Sequence, residues 1–399
     1  MNPSITTEPM TSGRIQQMNS LIKAEPTTPG RIQQISTRIV FFIAGIGMAA
    51  WAPLVPFAKA RAQIEDGMLG LLLLCVGAGS IIAMPVAGAL TAKLGCRVVI
   101  TASTLILSLA LPFLATLSSL PGLIVSLFVF GAGVGALDVS MNVQAVIVER
   151  ASGKRMMSGF HGLFSLGSIF GAAGVAMLLG VGATPAVAII GVLILIAVAL
   201  VVSIAALLPY GSRSEGPLFA IPHGVVLLIG VVCFIVFMIE GAVLDWSAVF
   251  LSSHHGMATE HAGLGYAAFA CTMTVGRLTG DWIVQRLGGV KVVLLGGICA
   301  ALGLAGTLVP LWPVALIGYA LVGAGCSNIV PVMFSAVGRQ TVMPQNVAVP
   351  AIVTLGYAGI LAGPAAIGLI SHLSSLSVAF LIMTMLLIGV SGSGRFIRL

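Results

Sequence analysis

Charged side chains break into the long apolar runs of this chain at three places. Asp138 is followed at i+4 by Asn142, Glu240 by Gly241, Asp245 and Trp246, and Arg277 at i+4 by Asp281. A charge in a segment surrounded by hydrocarbon is expensive, so each of these is a candidate for function. Asp138 and Asn142 share one helix face, which puts a protonatable carboxylate beside a hydrogen-bonding amide; the bland alternative is a polar clamp between helices. Glu240 is a second protonatable carboxylate, and Gly241 allows the helix to loosen beside it. Asp245 and Trp246 lie nearer the end of the same run, where the indole is either an interfacial belt residue or a stacking face for a sugar. The Arg277–Asp281 spacing predicts an ion pair along one helix, suited to a conformational latch, and Glu149–Arg150 reads the same way. His161 opens another run. Imidazole ordinarily titrates near neutrality, so it is either proton-linked or a hydrogen-bonded structural group. Asn328, Tyr319 and Tyr357 are further polar groups that could bind a ligand or simply pack. His254, His255 and His261 gather near Glu260, but their spacing fits no standard metal site. No nucleophile triad, phosphate loop or metal motif is present, so neither an enzyme nor a cofactor is expected.

The elements that carry these residues must be membrane spans. Of 399 residues, 58% are hydrophobic and 7% charged, against about 25% charged in a soluble domain. A soluble globule could not bury that much apolar side chain. Counting about 20 apolar residues per span gives twelve, near 38–58, 67–91, 98–117, 121–148, 158–181, 184–208, 222–252, 260–284, 291–309, 313–337, 346–371 and 376–394. The net charge of +7 comes from cations in short loops and tails, which makes them topology signals rather than a nucleic-acid surface. Arg14, Lys23, Arg31, Arg38, Lys93, Arg97, Arg150, Lys154, Arg155, Arg213, Arg286, Lys291, Arg339, Arg395 and Arg398 all fall on one side. Lys59 and Arg61, offset by Glu65 and Asp66, fall on the other. Both termini are therefore expected in the cytoplasm. The six cysteines are scattered singly and read as packing residues. No cleavable signal peptide is visible.

Two repeats are present. Glu8-Pro9 with Gly13-Arg14-Ile15-Gln16-Gln17 recurs as Glu25-Pro26 with Gly30-Arg31-Ile32-Gln33-Gln34, in a stretch whose Pro, Gly and Thr content suggests a disordered arm. The larger repeat spans the chain. Gly131 and Gly133 match Gly323 and Gly325, Gly167 and Gly171 match Gly359 and Gly363, Lys93-Leu94-Gly95 matches Arg286-Leu287-Gly288, and Trp51 matches Trp246, all about 192–195 residues apart. Four landmarks in register indicate two homologous halves, the symmetry of a transporter that rocks one bundle against another. The expected organisation is a disordered tail (1–37), a six-helix bundle (38–208), a link (209–221) and a second bundle (222–399).

Two six-helix halves, a basic turn repeated after the second and eighth spans, and Gly-rich fifth and eleventh spans resemble the major facilitator superfamily. The turn Gly88 to Arg97 follows its signature except that the usual Asp is Ala92, with Gln285 at the matching place in the other half. A narrower set of motifs is similar to a bacterial inner-membrane group placed loosely with fucose-permease-like carriers and including rhizopine-linked (methyl-inosamine) membrane proteins. They are Asp138, Asn142, Glu149 and Arg150; His161-Gly162 with Ser165; Glu240-Gly241 with Asp245-Trp246; and Gly276-Arg277. The resemblance implies an all-α integral membrane fold of two pseudo-symmetric bundles. It also implies that the third, sixth, ninth and twelfth spans, which are uniformly apolar, lie outside the cavity. It assigns Lys93, Arg97, Glu149, Arg150, Arg277 and Asp281 to a conformational latch. Proton coupling or substrate binding would fall to Asp138, Asn142, Glu240, His161, Asp245, Trp246, Asn328 and Tyr357.

The expected activity is secondary transport of a small polar solute, of the sugar or cyclitol class, by a monomer that uses alternating access and protons in a bacterial inner membrane. No nucleotide-binding domain appears, which speaks against ATP drive. One rival is proton-driven export of hydrophobic compounds, although the exporter signatures expected in the fourth and fifth spans are missing. A rival of another class is a membrane sensor or scaffold, which would call for a sizeable soluble domain.

Overall fold

The computed structural model describes residues 29–64, 66–212, 221–258 and 261–397. Twelve helices follow one another: α1 (Arg31–Ala62), α2 (Asp66–Leu94), α3 (Cys96–Thr116), α4 (Leu120–Ser152), α5 (Met157–Gly180), α6 (Pro185–Ile204), α7 (Gly224–His255), α8 (Leu264–Leu287), α9 (Gly289–Gly306), α10 (Trp312–Val337), α11 (Gln345–Leu373) and α12 (Leu376–Ser393). Eleven are long and apolar enough to cross a membrane. The exception is α8, whose 24 residues include Arg277, Asp281 and Arg286.

The first helix begins at Arg31, earlier than its hydropathy suggests. The amide of Gly30 donates to the side chain of Gln33 at 2.8 Å and caps its start. Its polar residues have partners: the Ser36 hydroxyl donates to Ser203 O at 2.8 Å, and Thr37 Oγ1 accepts from Gln144 Nε2 at 3.0 Å. Gly30-Arg31-Ile32-Gln33-Gln34 of the second copy thus open α1, while Glu25-Pro26 lie outside the described residues. The first copy, with Arg14 and Lys23, lies outside the described residues, as do Arg213, Glu65, Glu260 and Arg398.

The large repeat is physical. Gly167 and Gly171 press α5 onto α1, where a Cβ would come within 2.3 Å of Phe42 O and 2.4 Å of Ile46 O. Gly359 and Gly363 press α11 onto α7, against Phe234 O at 2.2 Å and Met238 O at 2.7 Å. Small residues at these crossings let two backbones meet, which is what drives helix association where lipid removes the hydrophobic incentive. Gly167→Leu should therefore prevent assembly of the first half. Gly167→Ala should cost about 1–3 kcal/mol, read as a lowered Tm of the purified protein; an unchanged Tm would mean that this crossing is not tight.

The turns after α2 and α8 also match. Gly95 and Gly288 hold φ values of 86° and 78°, a region where a side chain is strained. Helices α3, α6, α9 and α12 make their principal contacts within their own half. The halves meet where α2 packs on α11, α5 on α8, and α10 on α4 and α5. Arg97 donates to Leu207 O at 3.0 Å and Ala205 O at 2.7 Å, and Leu208 N donates to Gln144 Oε1 at 3.1 Å. These bonds gather the start of α1, the end of α4, the α2–α3 turn and the end of α6 at one end of the bundle. The loops at this end carry most of the cations, and it is termed the basic end below.

Candidate functional site

Near the middle of α4, Asn142 Nδ2 donates to Asp138 Oδ1 at 3.0 Å and to Asp138 O at 2.9 Å. The i, i+4 spacing places amide and carboxylate together, as the sequence suggests. Asn142 is fully buried, and its Oδ1 has no partner among the described residues. Among the described residues no cation pairs with Asp138. Tyr357, from α11 of the other half, lies close enough to interact electrostatically with it.

Glu240 lies at the middle of α7, and Arg277 lies near the middle of α8. Arg277 Nη2 meets Glu240 Oε1 at 3.0 Å, and Arg277 Nη1 donates to Ser165 Oγ at 3.0 Å. The expected Arg277–Asp281 pair is not formed. A buried guanidinium needs the carboxylate that can reach it, and Glu240 on the neighbouring helix does so. One guanidinium therefore ties α8 to α7 in its own half and to α5 in the other. Its Nε remains without a partner. His161 is buried beside it between Phe41 and Phe334, with ring centroids 5.3 Å and 5.5 Å away, and its Nε2 has no partner. It is held by rings from both halves.

Asp281 crosses the interface instead. Its Oδ1 accepts from the amide of Gly159 at 3.1 Å, in the first turn of α5. Glu149 does not pair with Arg150; its Oε2 accepts from Met156 N and Met157 N, each at 2.8 Å. The first amides of a helix lack internal partners and carry partial positive charge, so carboxylates settle there. The start of α5 thus has two carboxylate acceptors, one from each half. Gln285 adds a third cross-half bond, donating to Arg155 O at 3.4 Å.

Other predicted residues stand apart. Arg97 bonds carbonyls of its own half rather than joining the two, and Lys93 and Arg150 are exposed. Asn328 sits at the break within α10, where its Nδ2 donates to Gly276 O and Ser327 Oγ at 3.0 Å each. That is a clamp between α8 and α10. Tyr319 is wholly buried. Asp245 is exposed, and Trp246 lies against Gly368 of α11. His255 bonds Val309 O at 2.9 Å, and His254 bonds Ser253 Oγ at 2.8 Å. Ser165 entered the sequence reading only as part of the His161-Gly162 motif and Gly159 not at all, because a serine or glycine in a span is usually a packing residue.

Removing the acceptor across the interface should loosen the basic end. With Asp281→Ala, loss of a capping bond costs about 1 kcal/mol, a shift of about fivefold in the balance of states. A cysteine at Met84, fully buried near Thr354 where α2 meets α11, should then be labelled about fivefold faster. Unchanged labelling with weakened substrate binding would place Asp281 in the binding site instead.

Known proteins share this frame. The sequence model for the Major Facilitator Superfamily matches residues 38–340. An MFS-type transporter of Yersinia pestis is 55% identical over 362 residues, covering 90% of this chain and 94% of that protein. The membrane protein MosC of Rhizobium meliloti is 31% identical, covering 86% of this chain and 84% of its own. Among solved structures, the transporter FucP in its outward conformation superposes with a TM-score of 0.75 at 18% identity, covering 91% of this chain and 98% of that one. The twelve-helix frame, its repeat and these relatives agree: the chain belongs to the Major Facilitator Superfamily and is a membrane transporter.

Proposed function

We propose that this transporter carries a small polar organic solute, of the sugar or cyclitol class, by alternating access coupled to protons. The observation that carries this reading is that both halves bury polar groups near the middle of their helices in an otherwise apolar bundle. Asp138 and Asn142 come from one half, with Tyr357, Glu240 and Arg277 from the other. Asn142 Oδ1 and Arg277 Nε have no protein partner, so an acceptor and a donor are free to meet a hydroxylated ligand. Leaving such buried groups unpaired is costly, which favours a ligand that pairs them. FucP, the fold neighbour, is itself described as a fucose:proton symporter, in keeping with this reading.

The bonds of Asp281 to Gly159 and of Gln285 to Arg155 join the halves at the basic end, and we take the polar site to open toward the other side. Following the positive-inside rule, we take that end and both termini to face the cytoplasm across a bacterial inner membrane, which makes this state outward-facing. We take the working unit to be a monomer in the bilayer. Reporter fusions at both termini check the orientation, and a periplasmic signal from either would refute it. The substrate reading is tested by a thermal-shift screen of sugars, cyclitols and hydrophobic drugs on purified protein. Hits are then followed as uptake into proteoliposomes under an imposed pH gradient. Stabilisation by hydrophobic compounds alone would replace this reading with drug export.

A further inference from the structure

A second polar site lies at the basic end, away from the mid-bilayer residues. Between the end of α4, the α4–α5 turn and the end of α10 is a cavity of about 170 Å³, with Arg150, Lys154 and Arg155 from one half and Arg339 from the other. Its floor is the contact between Val146 and Gly338, where the halves touch. One carboxylate, Glu149, lines it as well, with Oε2 already engaged by two backbone amides. Four cations thus face one carboxylate. Burial first, and then the charge of Arg155, push the Arg339 guanidinium below its usual range, with Glu149 acting in the opposite sense. Bringing Arg339 up to Arg155 therefore opposes closure of this end unless an anion lies between them.

We propose that a phosphate-type oxyanion, free in solution or carried by a lipid headgroup, binds in this cleft and holds the basic ends of the two halves together. Guanidinium groups suit it because their planar donors match tetrahedral oxyanions in paired hydrogen bonds. The cavity has room for a phosphate group, and its cations come from both halves, so the complete site exists only while this end is closed. Binding therefore favours the closed end over the open one. That consequence rests on the alternating-access reading, whereas binding itself does not.

The test uses the full chain in nanodiscs of phosphatidylcholine, titrated with sodium phosphate against sodium chloride at matched ionic strength. Phosphate should raise the Tm saturably and chloride should not. Arg339→Ala and Arg155→Ala should each weaken half-saturation about tenfold or more, and Arg339→Lys, which keeps the charge, should fall in between. In nanodiscs containing phosphatidylglycerol, a lost response to free phosphate identifies the headgroup as the occupant, and a retained response identifies the free ion. Labelling of Met84→Cys, which lies outside the cleft, should slow when phosphate is added. Binding without slowed labelling would overturn the closing role while leaving the site. If the cations serve only helix-end carbonyls, as Arg339 Nε does with Ser335 O at 3.2 Å, phosphate will do no more than chloride and the proposal falls.

Discussion

Proton-driven accumulation of substrate should be lost in Asp138→Asn, while counterflow, which exchanges substrate without net proton movement, continues. Asp138 has Asn142 as its hydrogen-bond partner, and among the described residues no cation holds its charge. A carboxylate in that setting changes protonation as its surroundings pass from dry to wet, which is what a coupling group must do. Asparagine keeps the shape and the bond to Asn142 but carries no proton through the cycle. Glu240→Gln should also abolish accumulation, since it removes the charge that Arg277 faces. Counterflow should survive in at least one of the two. Measured in proteoliposomes with an imposed pH gradient, full accumulation in both variants would make these carboxylates structural clamps and turn attention to His161.

The second large effect concerns Arg277. Arg277→Leu leaves the part-buried Glu240 without its counter-ion and breaks the bond to Ser165 across the interface. Breaking a buried pair from one side costs about 3–5 kcal/mol, enough to lower the Tm sharply and stop transport. Arg277→Leu combined with Glu240→Leu should recover most of the lost stability, because two apolar residues can replace a buried pair at little cost. Transport should stay absent. Restored stability together with restored transport would show the pair to be mere packing; stability that stays low would show that the Ser165 bond dominates.

Much of the frame was legible in the chain. Apolar length located eleven of the helices seen among the described residues, since hydrocarbon admits few alternatives to a helix; α8, which carries Arg277, Asp281 and Arg286, falls short of that measure. The repeated glycines marked the α1–α5 and α7–α11 crossings because only a missing side chain permits such contact. Asp138 with Asn142 was legible because both lie on one helix. The partners of Arg277, Asp281 and Glu149 were not. Spacing along one helix suggested Asp281 for Arg277, but a guanidinium reaches across helices as readily as along one, and Glu240 stands 37 residues away in sequence. Carboxylates at the start of α5 went unread because they answer backbone amides, which no residue type announces. The start of α1 was missed because Ser36 and Thr37 look like solvent-facing residues until Ser36 is seen to donate to Ser203 O and Thr37 to accept from Gln144.

The glycine crossings also set an order of biogenesis. The face of α1 around Phe42 and Ile46 receives no partner until α5 has left the ribosome, and the face of α7 around Phe234 and Met238 waits in the same way for α11. During synthesis each half therefore holds an open seam through the insertion of three intervening helices, and α4 enters the bilayer with Asp138 before that seam closes. A chain halted between α4 and α5 would leave both features turned to lipid or to the insertion machinery. Completion of the fifth helix in each half is the step that closes the seam.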